Sequence, residues 1–454
     1  MKRTRSNALI VLVAAAAASL SLPSAQTTQP PPAQPSQPPA QAGQPPGQIT
    51  GVISAPGLAR LSLAIPEFRI AAILPAAMRE AAGEIRMTVV SDLEFSGYFE
   101  VIPPERYVGL PEEPTKIPFP RWAATGAVAL LIGSASPESE RLAVEGLLFD
   151  TRGEQLILGK RYRGDPAVAR QIGHRLSNEI VTHFTGRPGI ALTRLAFEGR
   201  VGRSKEIFMM DYDGKGLRQV TRNGSINVAP ALSPDGGRIA FVSYKAGNPK
   251  LYILSQDGSM AEAAPPGADL CAAPDWSPDG RQIAFSAARN GDSDIYIYDT
   301  AGNSIRQATF SPGADTSPSW SPSGREIVFT SDRTGRPQVY MMDAEGANVR
   351  RLTFDGSYND QPAWSPQGDR IAYAGWVDDH FDIFVMDPGT GAAQKVTDGM
   401  GYNENPRWSP DGRHLVFCSN RSGIYQIYAM DDNGSRPVKL STPFEAFGPD
   451  WSRQ

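Results

Sequence analysis

The stretch Pro274-Asp275-Trp276-Ser277-Pro278-Asp279-Gly280 decides the fold, because closely similar stretches recur at intervals of 44 residues. Related copies begin at Pro230, Pro318, Pro362 and Pro406. A truncated copy, Pro449-Asp450-Trp451-Ser452, lies at the C-terminal end. The sequence therefore contains six units, one of which is split.

Each unit is predicted to contain four short strands and no helix. In the unit quoted above, Ser-Pro-Asp-Gly suits a β-turn, and residues 282–285 follow as a second strand. Residues 295–298 and 305–309 are the predicted third and fourth strands. Four strands in every 40 to 50 residues or so, with Trp and Gly at constant offsets, are typical of a β-propeller blade. A β-solenoid is the alternative, but its repeats are shorter.

The split unit favours a closed ring. Leu195-Ala196-Phe197 lies 44 residues before Ile239-Ala240-Phe241, so residues 193–220 read as strands two to four of a blade that lacks its first strand. Residues 449–452 are predicted to supply that strand, which would close the ring and remove exposed strand edges. The repeated tryptophans are predicted to pack between blades, because large aromatic side chains dominate core energetics. They are Trp276, Trp320, Trp364, Trp408 and Trp451.

The N-terminus predicts export. Cationic residues precede an apolar run at residues 8–20, and small residues follow, so we interpret residues 1–25 as a signal peptide. The run is too short to cross a bilayer as a helix. Residues 26–50 are mostly Pro and Gln and are predicted to form an extended, disordered spacer.

Residues 51–188 lack the repeat and are predicted to form a small two-layer α/β domain, followed by an all-β six-bladed propeller with a split closing blade at residues 189–454. Strands are predicted at residues 61–65, 98–102, 127–133, 141–149 and 155–162. One helix face is predicted from apolar spacing at Met78, Ala82, Ile85, Val89 and Leu93. A second comprises Val168, Ile172, Ile180 and Phe184.

The sequence contains few motifs typical of catalysis or of ligand binding. A net charge of −4 does not indicate a nucleic-acid surface. Nucleophile-elbow, zinc-protease and Walker motifs are absent, and the four histidines share no ligand spacing, so we predict no catalytic residues, no metal ligands and no cofactor. Asp211-Tyr212-Asp213-Gly214 is interpreted as a turn rather than a calcium loop. Whether a cation occupies the channel mouth, near Asp315, Asp360, Glu404 and Glu445, stays open.

The two cysteines are predicted to be free thiols. Cys271 and Cys418 belong to blades three units apart, on opposite sides of a six-bladed ring. A disulfide needs Cα atoms within about 7 Å.

Specific stretches outside the blade motif resemble the TolB family of the Tol-Pal system. They are His174-Arg175-Leu176-Ser177-Asn178-Glu179-Ile180, Asp92-Leu93-Glu94-Phe95-Ser96-Gly97-Tyr98-Phe99 and Ser331-Asp332-Arg333-Thr334-Gly335-Arg336-Pro337-Gln338-Val339-Tyr340. Together with the blade motif, the similarity covers about 400 of the 454 residues. The resemblance implies a non-catalytic periplasmic scaffold that binds the peptidoglycan-associated lipoprotein Pal through its propeller and communicates with TolA. It also implies peripheral association with the outer membrane through Pal, and roles in outer-membrane integrity and in constriction at division.

The N-terminal segment departs from the family. The family carries its TolA contact just after the signal peptide, where this chain has the Pro/Gln spacer. The effect of the spacer on that contact stays open.

The Pal surface is predicted where loops from the outer strand of one blade reach the inner strand of the next. Residues just before each repeated proline should converge there on one mouth of the channel. The candidates are Asn227, Val228, Leu270, Cys271, Asp315, Thr316, Tyr358, Asn359, Asp360, Tyr402, Asn403, Glu404, Glu445 and Phe447. The aromatic members Tyr358, Tyr402 and Phe447 are the predicted anchors, because aromatic residues dominate binding hot spots.

An alternative function is a secreted propeller enzyme or a glycan-binding protein. Propeller peptidases carry a hydrolase domain with a nucleophile elbow, and the first domain contains none. The interaction protein is therefore favoured, although the fold alone does not decide function.

Overall fold

The computed structural model describes residues 60–111, 113–263, 268–289 and 291–453. The predicted signal peptide and spacer, residues 1–50, lie outside the described residues. The first elements form an α/β domain. They are β1 Leu61–Ala64, β2 Arg69–Ile70, α1 Ala76–Phe95, β3 Phe99–Val101, α2 Phe119–Ala124, β4 Ala129–Glu138, β5 Arg141–Asp150, β6 Gln155–Gly164 and α3 Ala169–Thr185, with short 3₁₀ turns at Pro104–Tyr107 and Pro166–Val168.

A sheet of order β3-β1-β4-β5-β6, with β2 paired to β4, forms the centre of this domain. Helices α1 and α3 pack on one face through the apolar positions predicted for them, including Ile85, Val89 and Ile180, which are fully buried. The opposite face is covered by the segment around α2, where Trp122 is buried against Tyr107. Helix α2 was missed from the sequence, because six residues are too few to show a helical period. None of the helices in the described part of the chain is long and apolar enough to cross a membrane.

Six four-stranded antiparallel sheets follow, which confirms the predicted propeller. The four strands of a blade are named a to d from the channel outwards. The closing blade 6 takes strands b to d first in the chain, as β7 Arg194–Val201, β8 Ser204–Asp211 and β9 Arg218–Gln219. Blade 1 comprises β10 Asn227–Leu232, β11 Arg238–Ser243, β12 Lys250–Ser255 and β13 Met260–Ala263. Blade 2 comprises β14 Leu270–Trp276, β15 Gln282–Arg289, β16 Asp292–Asp299 and β17 Ser304–Gln307.

The remaining blades repeat the pattern. Blade 3 comprises β18 Asp315–Trp320, β19 Glu326–Ser331, β20 Gln338–Asp343 and β21 Arg350–Arg351. Blade 4 comprises β22 Asn359–Trp364, β23 Ile371–Val377, β24 His380–Met386 and β25 Ala393–Lys395. Blade 5 comprises β26 Asn403–Trp408, β27 His414–Ser419, β28 Gln426–Asp431 and β29 Val438–Leu440, and β30 Ala446–Trp451 is strand a of blade 6.

The ring closes where the sequence predicted. Strand β30 pairs with β7, with Trp451 opposite Leu195. The Trp451 indole Nε1 donates to Thr193 Oγ1 at 2.8 Å, and the backbone N–H of Arg194 donates to Ser452 Oγ at 2.8 Å. The two ends of the propeller are therefore joined in one sheet.

The repeated tryptophans pack between neighbouring blades, as predicted. Four of the five are buried, and Trp364 is half-buried. The indole of Trp276 donates to Ala231 O of the preceding blade at 3.0 Å, and Trp408 donates to Ala363 O at 3.0 Å. Each such bond gives a buried indole the acceptor that it requires.

The α/β domain contacts the propeller through the C-terminal end of α1. Asp92 accepts a hydrogen bond from the Tyr212 hydroxyl at 2.5 Å and is bonded to His174 Nδ1 at 2.9 Å. Burial, and then the Asp92 carboxylate, raise the pKa of Tyr212 well above its usual value, so the hydroxyl stays protonated and donates. Tyr212 lies in the predicted Asp-Tyr-Asp-Gly turn, whose Asp211 and Asp213 carboxylates pair with Arg170 at 3.1 and 3.0 Å.

Two propeller side chains also donate hydrogen bonds to this end of α1. His414 Nε2 is bonded to Phe95 O at 2.7 Å, and Arg436 Nη1 donates to Glu94 O at 2.7 Å. The Phe95 ring stacks on the His414 ring, with centroids 4.4 Å apart. Donors and positive charge at a helix C-terminus satisfy its free carbonyl groups and complement its dipole.

Candidate partner-binding face

The loops that join strand d to the next strand a share one face of the propeller with the b–c hairpins. We call this the mouth face. The a–b and c–d turns lie on the other face, and the hydrogen bonds to the α/β domain described above come from those turns, at Tyr212, His414 and Arg436. The mouth face is therefore remote from the α/β domain.

Five of the predicted residues begin strand a, or lie one position into it, and are buried. They are Asn227, Cys271, Asp315, Asn359 and Asn403, each exposed by 4% or less. Their side chains serve the fold of the loops. Burial of this kind leaves little of these side chains for a partner to contact.

The asparagines anchor each loop to strand c of the preceding blade. Asn359 Nδ2 donates to Gln338 Oε1 at 2.9 Å, and Asn403 Nδ2 donates to Asp382 Oδ1 at 3.0 Å. Asn227 makes the same contact with Glu206 at 2.9 Å. Buried polar groups need such partners, so these bonds hold the loops in place.

Sequence reasoning missed the threonine that completes each anchor. Thr353 Oγ1 donates to Gln338 Oε1 and accepts the backbone N–H of Val339. The same double contact recurs at Thr221, Thr309 and Thr397. The signal was present in the sequence, because these threonines obey the 44-residue period.

Asp315 and the two cysteines are also structural. Arg333 Nη2 donates to both Asp315 carboxylate oxygens, at 3.0 and 2.9 Å. Cys271 and Cys418 are buried and free, as predicted. Burial raises the pKa of the Cys418 thiol to about 12, so it is unreactive in the folded protein.

The other predicted residues line the mouth face. Tyr358 and Tyr402 are 38% and 37% exposed and occupy the same position in consecutive blades. The remaining members are half-buried: Val228, Leu270, Thr316, Asp360, Glu404, Glu445 and Phe447.

Two carboxylates at the mouth are held by uncharged donors. Asp360 accepts from Thr330 Oγ1 at 2.7 Å, and Glu404 accepts from the Tyr425 hydroxyl at 2.7 Å. Burial, and then the carboxylates of Asp360, Asp332 and Glu404, raise the pKa of Tyr358. The mouth beside blade 4 is therefore acidic.

The mouth beside blade 6 carries two cations, each paired with a carboxylate: Lys205 with Glu198 and Arg200 with Glu445. Lys205 Nζ lies 4.1 Å from the centroid of the Phe447 ring, and the guanidinium of Arg200 lies 5.9 Å from it. Phe447 also packs on Tyr425, with centroids 5.0 Å apart. The predicted aromatic anchor of this blade thus lies among cations.

A β-bulge interrupts every strand a below the mouth. The residue before each repeated proline has a left-handed backbone: Ala229, Ala273, Ser317, Gln361, Asn405 and Gly448. These residues line a cavity of about 60 Å³, which has room for a few water molecules. A protein partner would therefore meet the loops at the mouth.

The other end of the channel holds a cavity of about 240 Å³, lined by the repeated tryptophans and by Asp275, Arg407 and Asp450. Burial raises the pKa of Asp450 to about 6, although Arg407, 3.6 Å away, opposes the shift. Asp450 Oδ2 accepts the backbone N–H of Leu232 at 2.7 Å, which links blade 6 to blade 1. The Asp450 carboxylate is therefore part of the interface between these two blades.

Comparison with known proteins agrees with both parts of this architecture. Residues 49–157 match the TolB amino-terminal domain. Residues 181–376 and 361–453 match the TolB beta propeller domain. The propeller matches alone span more than half of the chain.

Individual relatives give the same result. The chain is 36% identical over 202 residues to the Tol-Pal system protein TolB of Desulfosudis oleivorans, covering 43% of this chain and 46% of that protein. It is 36% identical over 203 residues to the Tol-Pal system protein TolB of Anaeromyxobacter dehalogenans, covering 44% and 46%. These alignments span less than half the length of the relatives.

A solved structure extends the similarity over both domains. The crystal structure of TolB from Acinetobacter baumannii superposes with a TM-score of 0.75 at 26% sequence identity, covering 87% of this chain and 97% of that one. The resemblance stated from the sequence is confirmed: the chain belongs to the TolB family.

Proposed function

We propose that the protein is a non-catalytic periplasmic component of the Tol-Pal system. It binds the lipoprotein Pal through the mouth face and thereby associates peripherally with the outer membrane. It also links Pal to TolA, in support of outer-membrane integrity and of constriction at division. Family membership supports the assignment to the system, and the export signal predicted from the sequence supports the compartment.

The exposed tyrosines of the mouth face carry the proposal for Pal. Tyr358 and Tyr402 occupy a position that is Ile226, Leu270 or Ala314 in other blades, so the blade does not require an aromatic side chain there. More than a third of each tyrosine is exposed. Partly exposed aromatic residues on a rigid scaffold are typical of binding hot spots.

The link to TolA is proposed through the α/β domain and the chain that precedes Arg60. The contacts of α1 with the propeller, through Asp92 and Phe95, support a mechanical connection between Pal on the propeller and a partner of the first domain. Packed side chains and hydrogen bonds can transmit such coupling.

Calorimetry of Pal binding tests the proposal. The Tyr358→Ala/Tyr402→Ala variant should lose more than about 2 kcal/mol of binding free energy, or roughly 30-fold in Kd, because two aromatic anchors are removed. Val349→Ala, at an exposed site on a c–d turn of the opposite face, is the control and should bind normally. Wild-type affinity in a correctly folded double variant would place the Pal contact elsewhere.

A further inference from the structure

The b–c hairpin of blade 4 is taller than those of its neighbours. Its strands stay paired up to Val377 opposite His380, whereas in blades 3 and 5 the pairing stops at Ser331 opposite Gln338 and at Ser419 opposite Gln426. The turn consists of two aspartates, Asp378 and Asp379, both with left-handed backbones at φ 48° and 63°. Two consecutive left-handed residues are typical of the type I′ turn, whose twist matches that of the strands. The tip of this hairpin is therefore well defined.

The hairpin carries a cross-strand aromatic pair. Trp376 lies opposite Phe381, with ring centroids 4.9 Å apart at 79°. Blades 2 and 6 also have tall hairpins, and there the corresponding pairs are Ala288 with Ser293 and Arg200 with Lys205. The aromatic pair is thus a property of blade 4 and is not needed to build such a hairpin.

The two mouth tyrosines extend this pair on either side. Tyr358 packs on Phe381 with centroids 5.4 Å apart, and Tyr402 packs on Trp376 at 6.2 Å. The Tyr402 hydroxyl donates to Asp379 O at 3.4 Å. We call Tyr358, Trp376, Phe381 and Tyr402 the aromatic shelf. All four side chains are at least partly exposed.

Exposed carboxylates lie around the shelf. Asp355, Asp378 and Asp379 are exposed, and none of them forms an ion pair within the described ranges. Two nearby cations, Lys395 and Arg421, already have acidic partners, whereas the exposed Arg336, beside the loop of Tyr358, forms no ion pair within the described ranges. Lys395 and His380 each lie 3.1 Å from Asp382, and Arg421 lies 3.3 Å from Asp398.

We propose that the aromatic shelf is the specificity-determining part of the Pal site and that it takes a lysine- or arginine-bearing loop of the partner. A cation over an indole or phenol face gains cation–π energy, with Trp the best of the rings. The aliphatic stem of the same side chain lies on apolar surface while the aspartates attract its charge. An acidic loop or an anionic lipid surface would be repelled by those aspartates. This inference rests on the proposed Pal function.

The test uses the full mature chain and the periplasmic domain of Pal without its lipid. Trp376→Ala should weaken Pal binding by about tenfold or more, because the central ring of the shelf is lost. Asp378→Asn/Asp379→Asn should weaken binding several-fold at about 50 mM salt, and the difference should shrink at about 500 mM, because salt screens exposed charges. Trp376→Phe, which keeps a ring, should retain most of the affinity, and the aspartate variant carries the test if the alanine variant does not fold.

The matched charge control is Glu80→Gln/Glu84→Gln, which removes two exposed carboxylates from the outer face of α1. It should bind Pal like wild type. Binding by wild type with no loss in either shelf variant would overturn the shelf while leaving the Pal proposal intact. Tighter binding by the Asp378→Asn/Asp379→Asn variant would show that the partner loop is acidic and would also overturn it. No binding of Pal by wild type would refute the proposed function itself.

Discussion

At the scale of single residues, the carboxylate before the repeated tryptophan joins blades. Asp450 accepts the Leu232 N–H, and Asp275 accepts the Trp320 N–H at 2.7 Å. Both groups are half-buried, and burial raises the pKa of each. Each carboxylate keeps its hydrogen bond to the neighbouring blade although burial disfavours its ionised form.

Asp450 should make the stability of the protein depend on pH. Its pKa is raised from 3.8 to about 6, so the stability that it contributes is fully present only below pH 3.8 and is lost as the pH rises through 6. Asp450→Asn keeps an oxygen acceptor for Leu232 and should remove that loss. The side chain is 14% exposed, and the effect should reach at most about 3 kcal/mol. Denaturant unfolding below pH 3.8 and above pH 6 measures this contribution of Asp450 to stability. An unchanged pH dependence in Asp450→Asn would contradict its assignment to this carboxylate.

At the scale of elements, the c–d turns pack on the outer strand of the preceding blade. Gly434, with φ at +85°, lies where an added Cβ would be 1.9 Å from Val396 O. Gly346 has the same relation to Ala308 O, at 2.2 Å. Glycine is required there for both backbone conformation and space. The turn is therefore part of the interface between blades.

Gly434→Ala should destabilise the propeller by about 2–4 kcal/mol, because left-handed strain and a backbone clash add. Gly423→Ala is the matched control, since Gly423 also has a left-handed backbone, at φ +99°, but an added Cβ meets nothing within 4 Å. It should cost only about 1–2 kcal/mol of strain. Thermal unfolding of the two variants compares them directly. Equal melting temperatures would mean that the neighbouring blade relaxes to remove the clash without loss of stability.

At the scale of the whole molecule, two joints hold the structure together. One is the pairing of β30 with β7, which completes the four-stranded sheet of blade 6 between blades 5 and 1. The other is the end of α1, whose carbonyls accept from His414 and Arg436. The first joint closes the ring, and the second attaches the α/β domain to it.

Deleting residues 449–454 should lower the stability by several kcal/mol. The change removes buried Trp451 and its bond to Thr193, and it exposes the edge of β7. Thermal unfolding and light scattering measure the loss of stability and the aggregation expected from a free edge. An unchanged melting temperature would be incompatible with closure through this strand.

The sequence by itself determined the propeller, its closure and the interblade tryptophans, because a 44-residue repeat and alternating strands are local patterns. It also placed Tyr358 and Tyr402 on the mouth face. Only the tertiary structure decided which predicted residues are accessible. Asn359 and Asn403 have sequence surroundings like those of the tyrosines beside them, yet they are buried against strand c of the preceding blade.

The aromatic shelf likewise depends on tertiary contacts. Trp376 and Phe381 lie in strands b and c, outside the loops to which the sequence pattern pointed. They join the tyrosines only because blade 4 continues its hairpin pairing up to Asp378 and Asp379. The contacts that bury Asn359 and Asn403 join residues 21 positions apart in sequence, and a 44-residue period does not specify them.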